Sequence, residues 1–463
     1  MAAQDLQRAN IGEEQNADGS SPSPLERRLE SALASRRSRQ MLRSLDPAPT
    51  SEPLVDFSSN DYLSFAASPV LHDKLMRALS TPSTTASSST PTLTAYGPPS
   101  SRLLDGNTPL HLSLESRLSS FLHAPSALLF NSGFDANAGL WASLPGAEDW
   151  IVFDALVHAS MHDGMRASRV PRERRRAFRH NCVQGLEERI REALRDEKVK
   201  DGEKSVWIGV ESLYSMDGDL VPLREMVELV ERLLPRGNGH FVVDEAHSTG
   251  LYGDQGRGLV CALGLESRIT VRVHTFGKAL ACSGAAVLAS PLIRNYLINY
   301  ARPLIYSTAA TRMSVLAAQK SVEMLEEGQG EGPAAHVHAL ARLLVSHLLA
   351  RLPPHSPVSL PPHLLSLPPP PASPSSASAH PPTSPIVPLL TPTPRPLAAF
   401  LRTRGFLVRP ITYPTVPVGE ERVRVCLHAG NTEGEVRGLC EGVVEWVEGE
   451  MRRGRSATAK AKL

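Results

Sequence analysis

Cysteine is scarce in this chain of 463 residues, and what there is lies scattered. Cys182, Cys261, Cys282, Cys426 and Cys440 are odd in number and show no CxxC or Cys/His metal spacing. A disulfide framework and a zinc site are therefore not expected, and a reducing compartment fits. No apolar run approaches the roughly 20 residues needed to span a bilayer. The net charge is only +1, so nothing in the total points to nucleic acid or a strongly acidic partner. The basic run from Arg172 to Arg179 reads as the solvated edge of a helix or loop. The opening segment, with early acidic residues and no apolar centre, resembles neither a secretory signal nor a mitochondrial presequence.

Proline is abundant and clustered. Residues 1–24 read as a disordered tail, and 25–57 as an amphipathic helix and arm with Leu25, Leu29, Leu33 and Leu42 spaced along it. Residues 58–320 form a large domain. Within it, short apolar runs at 127–130, 150–153, 206–210, 241–243 and 269–275 alternate with helical patterns, which predicts an α/β fold with a mostly parallel sheet. A smaller C-terminal α/β domain follows at 321–452, interrupted by a Pro/Ser-rich surface insertion at 353–396, and 453–463 form a tail. The last three residues, Ala461-Lys462-Leu463, are a near variant of the Ser-Lys-Leu peroxisomal address, so a peroxisomal or a cytoplasmic location is expected.

Chemistry in such sheets gathers at the carboxyl ends of strands. One strand, read from His240 onward, ends in Asp244, followed by Glu-Ala-His247-Ser-Thr-Gly250. A carboxylate there suits the protonated nitrogen of a pyridine ring, or it caps a helix. DEAH also occurs in nucleotide-hydrolysing motors, but those need a GxxxxGK[ST] loop, which this chain lacks. The next strand runs into Thr275-Phe-Gly-Lys278. A hydroxyl suits a phosphate, and the small, weakly polar residues after Lys278 would lower its pKa, as a nucleophilic lysine requires. Ser132-Gly133-Phe134 opens a helix after a strand, and exposed amides at a helix start suit a phosphate. His158 stacks on a flat ring or fills the core.

Six motifs in order then carry a resemblance: Ser59-Asn60-Asp61-Tyr62-Leu63, Gly106-Asn-Thr-Pro-Leu-His111, Ser215-Met-Asp-Gly-Asp219, DEAHSTG, TFGK and Pro414-Thr-Val-Pro417. Over about residues 25–450, the insertion excepted, the chain resembles the α-oxoamine synthases, a family of fold-type-I pyridoxal-phosphate enzymes, and looks most like its biotin-pathway branch.

The resemblance implies that Lys278 carries pyridoxal 5'-phosphate and acts as acid–base at the substrate Cα. It implies that Asp244 pairs with the ring nitrogen, His158 stacks on the ring, and Ser215 and His247 hold the phenolic oxygen. Thr275 and the amides of Gly133 and Phe134 would take the phosphate, with Ser307 and Thr308 reaching that of a neighbouring subunit in a homodimer. Arg424 would bind the amino-acid carboxylate, while Arg43, Asn60, Thr415 and Arg409 would lie near the acyl substrate. The implied reaction is decarboxylative condensation of L-alanine with pimeloyl-CoA. A sibling using glycine or serine with another acyl or polyketide thioester, and a catalytically silent scaffold, are the alternatives. Two departures stand out: Pro98 and Pro99 stiffen a stretch that is glycine-rich in the family, and Ala281 stands where glycine is common.

Overall fold

The computed structural model describes residues 22–39, 41–43, 45, 54–80, 97–365 and 383–460. The chain divides into two units, Met1–Pro53 and Leu54–Leu463. In the first, the helix Pro24–Ser38 starts with a capping box. The Ser23 side chain accepts from the Glu26 amide at 3.2 Å, and the Glu26 carboxylate accepts from the Ser23 amide at 2.6 Å.

The second unit opens with β1 (Val55–Asp56). Seven strands then build the main sheet: β2 (Ser126–Phe130), β3 (Trp150–Asp154), β4 (Arg175–Phe178), β5 (Val206–Glu211), β6 (Gly239–Asp244), β7 (Val271–Thr275) and β8 (Ala285–Ala289). Their order across the sheet is β2-β8-β7-β6-β5-β3-β4. The pairs β3–β4, β3–β5, β5–β6 and β6–β7 are parallel, whereas β8 pairs antiparallel with both β2 and β7. The expected mostly parallel α/β architecture is thus present. Every residue of β5 is buried, as a strand covered on both faces requires.

Two strands depart from the sequence reading. The run Arg172–Arg179 is not merely a solvated edge: Arg175–Phe178 is strand β4, at the border of the sheet. Its arginines find partners beside the strand, Arg176 on Glu192 and Arg175 on the Met165 carbonyl, so an edge strand accommodates charge that a central one would not. Strand β8 is Ala-Ala-Val-Leu-Ala, too short and small-chained to announce itself by alternation.

The rest of the unit holds β9 (Ile386–Leu390), β10 (Phe406–Leu407), β11 (Arg409–Ile411) and β12 (Arg422–Cys426). Strands β11, β12 and β9 form an antiparallel sheet, and β10 pairs with β1. Thus the stretch read as a Pro-rich insertion, 353–396, contains a fully paired strand, while residues 366–382 within it lie outside the described residues. The final helix, Glu433–Lys460, runs on into the stretch expected as a tail, 453–463, and Arg452 faces Glu448 and Arg453 faces Glu450 one turn back. The C-terminal tripeptide and residues 81–96 also lie outside the described residues.

Ala281 adopts φ of 51°, in the left-handed region that glycine occupies without cost. It closes a turn in which its N–H donates to the Lys278 carbonyl at 2.9 Å. Ala281→Gly is therefore expected to raise stability by up to about 1 kcal/mol, read as a higher urea midpoint at unchanged slope; a lower midpoint would show that the methyl's packing outweighs the backbone relief.

Candidate active site

Four neighbouring strands point their carboxyl ends at one place. Asp154 ends β3, Glu211 ends β5, Asp244 ends β6 and Thr275 ends β7, with Lys278 three residues further on. Asp244 is buried and held from two sides. Its Oδ2 accepts from Asn137 Nδ2 at 2.7 Å, and its Oδ1 from the Ala246 amide at 2.9 Å. Asn137 also donates to Ser160 Oγ at 3.1 Å, which lies 2.7 Å from His158 Nδ1. A single chain of contacts therefore runs from the strand-end carboxylate to the exposed ring of His158.

Burial lowers the Lys278 pKa, Asp244 and Glu211 oppose that drop, and Arg424 reinforces it. The amine makes no side-chain hydrogen bond to another described residue. Glu211 lies directly across from Asp244 in the sheet register, and burial together with that neighbouring carboxylate drives its pKa well up. Burial and the facing carboxylate thus favour the protonated form of Glu211 beside Asp244. His247 is buried and kept neutral, first by burial and then by Lys278 and Arg424. Its Nδ1 meets the Tyr62 hydroxyl at 2.7 Å.

The phosphate-side residues are packed as a cradle. Gly133 starts the helix Gly133–Ser143, whose cap Ser132 accepts from the Asp135 amide at 3.0 Å. A Cβ on Gly133 would sit 2.1 Å from Thr275 Oγ1, so only glycine permits this approach. Phe134, next on the helix, is exposed. Ser215 is half-buried on the loop after β5 and leaves its hydroxyl without a partner among the described residues. Thr308 lies close by in the same chain: its carbonyl accepts from Asn131 Nδ2 at 2.8 Å, and it lines a small cavity with Ser307, Arg102 and His111.

On the opposite side, Arg424 is buried and donates to Asn60 Oδ1 at 3.0 Å, while its Nε has no partner among the described residues. Neighbouring Arg422 is neutralised by Asp217 at 2.6 Å, whereas Arg424 has no carboxylate partner among the described residues. Arg409 is directly across from Arg424 in the β11–β12 register and is exposed, so both guanidinium groups project from one face of the small sheet. Thr415 is exposed in the turn after β11. Arg43 is exposed in the N-terminal unit.

Sequence reasoning missed Asn137, Ser160 and Glu211, and gave Tyr62 no role beyond its place in a motif. Asn137 stands four residues after Gly133, one helical turn on, and Glu211 ends an apolar strand as Asp244 does. Either spacing was the signal. A lysine of lowered pKa, a carboxylate for a ring nitrogen, a histidine face and a hydroxyl–amide cradle that a Cβ would fill all fit pyridoxal phosphate, and define a fold-type-I pyridoxal-phosphate transferase.

Comparisons with known proteins agree. The family model for aminotransferase class I and II matches residues 52–443. An 8-amino-7-oxononanoate synthase of Emericella nidulans is 44% identical over 433 residues, covering 93% of this chain and 98% of its own. The aminoacyl transferase sphA of Byssochlamys spectabilis is 35% identical over 441 residues, covering 94% and 90%. Among solved structures, serine palmitoyltransferase of S. paucimobilis, with a bound PLP–myriocin adduct, superposes with a TM-score of 0.72 at 22% identity, over 92% of this chain and 98% of that one. The chain belongs to the aminotransferase class I and II family, in its α-oxoamine synthase branch.

The charge balance around Lys278 has a direct consequence for the protein without cofactor. Removing the Asp244 charge (Asp244→Asn) takes away an attraction that raises the Lys278 pKa, so it moves further down. Arg424→Met takes away one that lowers it, so it moves up. The pH dependence of Lys278 acetylation, followed by mass spectrometry, should shift in these opposite directions; no shift in either variant would mean that burial alone sets the amine.

Proposed function

We propose that this protein condenses L-alanine with pimeloyl-CoA, giving 8-amino-7-oxononanoate, CoA and CO2, a step in biotin biosynthesis. The reaction class rests on one arrangement: Lys278 of lowered pKa beside Asp244, facing the partly unmatched guanidinium of Arg424. The choice of substrates is supported by the 44% identity to the Emericella nidulans synthase over 93% of the chain.

The residues divide the work. Arg424, steadied by Asn60, binds the amino-acid carboxylate through its planar fork. Neutral Lys278 takes the proton from the substrate Cα and later returns one. Pyridoxal phosphate, when bound, supplies an electron sink for the charge left at that carbon. Asp244, fixed by Asn137, keeps the proton on the ring nitrogen. His158 would cover one ring face, Ser215 and His247 would hold the phenolic oxygen, and Thr275 with the amides of Gly133 and Phe134 would hold the phosphate. The carbon then attacks the thioester carbonyl, CoA departs, and the original carboxylate leaves as CO2. Arg43, Thr415 and Arg409 are assigned to the acyl-thioester side.

A homodimer is part of this reading, with Ser307 and Thr308 serving the neighbouring site. The exposed Leu292, Tyr300 and Tyr306 on the helices Pro291–Tyr300 and Arg302–Tyr306 support a covered face there. A peroxisomal location through the C-terminal Ala-Lys-Leu is proposed with it.

The likeness to the aminoacyl transferase sphA, 35% identical over 94% of the chain, favours one second reading, a sibling reaction with another amino acid and acyl thioester. The purified protein should be mixed with alanine, glycine or serine and pimeloyl-CoA, with CoA and CO2 release followed together. Alanine is expected to give both products in equal amounts, and Lys278→Ala to lower the rate by at least about 1,000-fold. Release with glycine or serine alone would keep the class and overturn the substrate. Arg424→Lys is expected to raise the KM for alanine by roughly ten-fold or more, because one point charge replaces two directed hydrogen bonds.

A further inference from the structure

The carboxyl ends of β4, β3 and β5 are tied together by one ring. His180 lies two residues beyond β4. Its Nδ1 is 2.9 Å from Asp154 Oδ1, at the end of β3, and its Nε2 is 2.9 Å from Asp219 Oδ2, on the loop after β5. A neutral imidazole has one N–H and one lone pair, so one of these contacts would set a nitrogen lone pair against a carboxylate oxygen. The imidazolium, with two donors, satisfies both.

The neighbouring residue completes the knot. Asn181, at φ of 50°, donates its backbone N–H to Asp154 Oδ2 at 2.7 Å and its side-chain amide to Asp219 Oδ2 at 2.7 Å. Tyr214 packs edge-on against the His180 ring at 4.4 Å between centroids. The loop carrying Asp219 is closed on itself by the Tyr214 N–H on the Asp219 carbonyl at 3.0 Å and by the Leu213–Leu220 bridge.

Each carboxylate also steers a residue of the site. Asp154 accepts from the Leu156 amide at 2.9 Å, shaping the short loop that leads to His158. Asp219 lies four residues beyond Ser215 on the closed loop. We propose that His180 is a positioning residue that, as a fixed imidazolium, sets the separation between the His158 loop and the Ser215 loop, and so the slot for the cofactor ring. The roles of His158 and Ser215 rest on the function proposed above; His180 itself touches neither cofactor nor substrate.

The groups facing His180 are Asp154 from β3, Asp219 and Tyr214 from the loop after β5, and His363 from the turn Pro362–Leu365, with Asp217 beyond it. Burial would lower its pKa, and the two carboxylates override this and push it up to about 10. That value lies above the ordinary histidine value in the unfolded chain. The clamp's contribution is therefore fully present below the ordinary pKa and lost as pH rises through about 10.

The test uses the full chain loaded with pyridoxal phosphate and labelled with nitrogen-15 in histidine. At pH 8 both ring nitrogens of His180, assigned by their loss in His180→Gln, are expected to be protonated; a neutral tautomer at that pH overturns the proposal. His180→Gln, which reaches only one carboxylate fully, is expected to weaken pyridoxal-phosphate binding by roughly ten-fold and to move the visible absorbance of the bound cofactor. A variant with a lower unfolding temperature but unchanged affinity and absorbance would make His180 purely structural, and so overturn the proposal. Should His180→Gln not fold, Asp219→Asn is read in the same way. Loss of the condensation reaction with alanine, while the tautomer and binding results stand, would defeat the proposed function and leave this inference intact.

Discussion

A lysine amine and a carboxylate have to share a poorly hydrated pocket at the carboxyl edge of the main sheet, and much of the surrounding structure answers that requirement. Lys278 gains reactivity from burial, yet burial also makes charged neighbours expensive. Asp244 is therefore satisfied by Asn137 and a backbone amide, and the carboxyl across from it, Glu211, has its pKa pushed well up. His247 is held neutral against Tyr62, so the one added cation near the lysine is Arg424, itself left partly unmatched to receive a carboxylate. The pocket's charge is thus divided between groups fixed by the protein and places reserved for ligand charge.

The parallel strands give this arrangement its geometry. Neighbouring strands that run the same way deliver their last residues to one line, so Asp154, Glu211, Asp244 and Thr275 meet without long connecting loops. Helices beginning just beyond the strands supply amides to the same edge. The Gly133–Thr275 approach then fixes how closely two of these ends sit.

Much of this was legible in the sequence. Buried strands ending in a single polar residue stand out as apolar runs, which is why β6 with Asp244 and β7 leading to Lys278 were readable. Strand β4 was hidden because an edge strand tolerates the arginines that disguised it, and β8 because alanines carry little pattern. The supporting residues were harder for a different reason. Tyr62 and His180 act on partners 185 and, for Asp154, 26 positions away, so no local spacing advertises those contacts, and Asn137, one helical turn after Gly133, meets an Asp244 that is 107 positions on. Ala281 was noticed as a departure, and its positive φ shows that the backbone there keeps the shape glycine would allow.

The reversal of β8 has a further meaning. Most strands of the main sheet are joined to their neighbours by long crossovers, but β7 and β8 are joined directly and pair antiparallel through Val273–Val287 and Thr275–Ala285. Lys278 therefore rides on a hairpin whose ends are closed by nearby contacts, Phe276 on Gly284 and Cys282 on Phe276. Short loops close quickly and at small entropic cost, whereas parallel pairing must wait for distant segments. The lysine is carried by the most locally encoded part of the sheet, and the carboxylates that tune it arrive with the slower, long-range part. Loop-closure entropy thus favours shaping the turn that carries the amine ahead of the long-range pairings that bring its carboxylates.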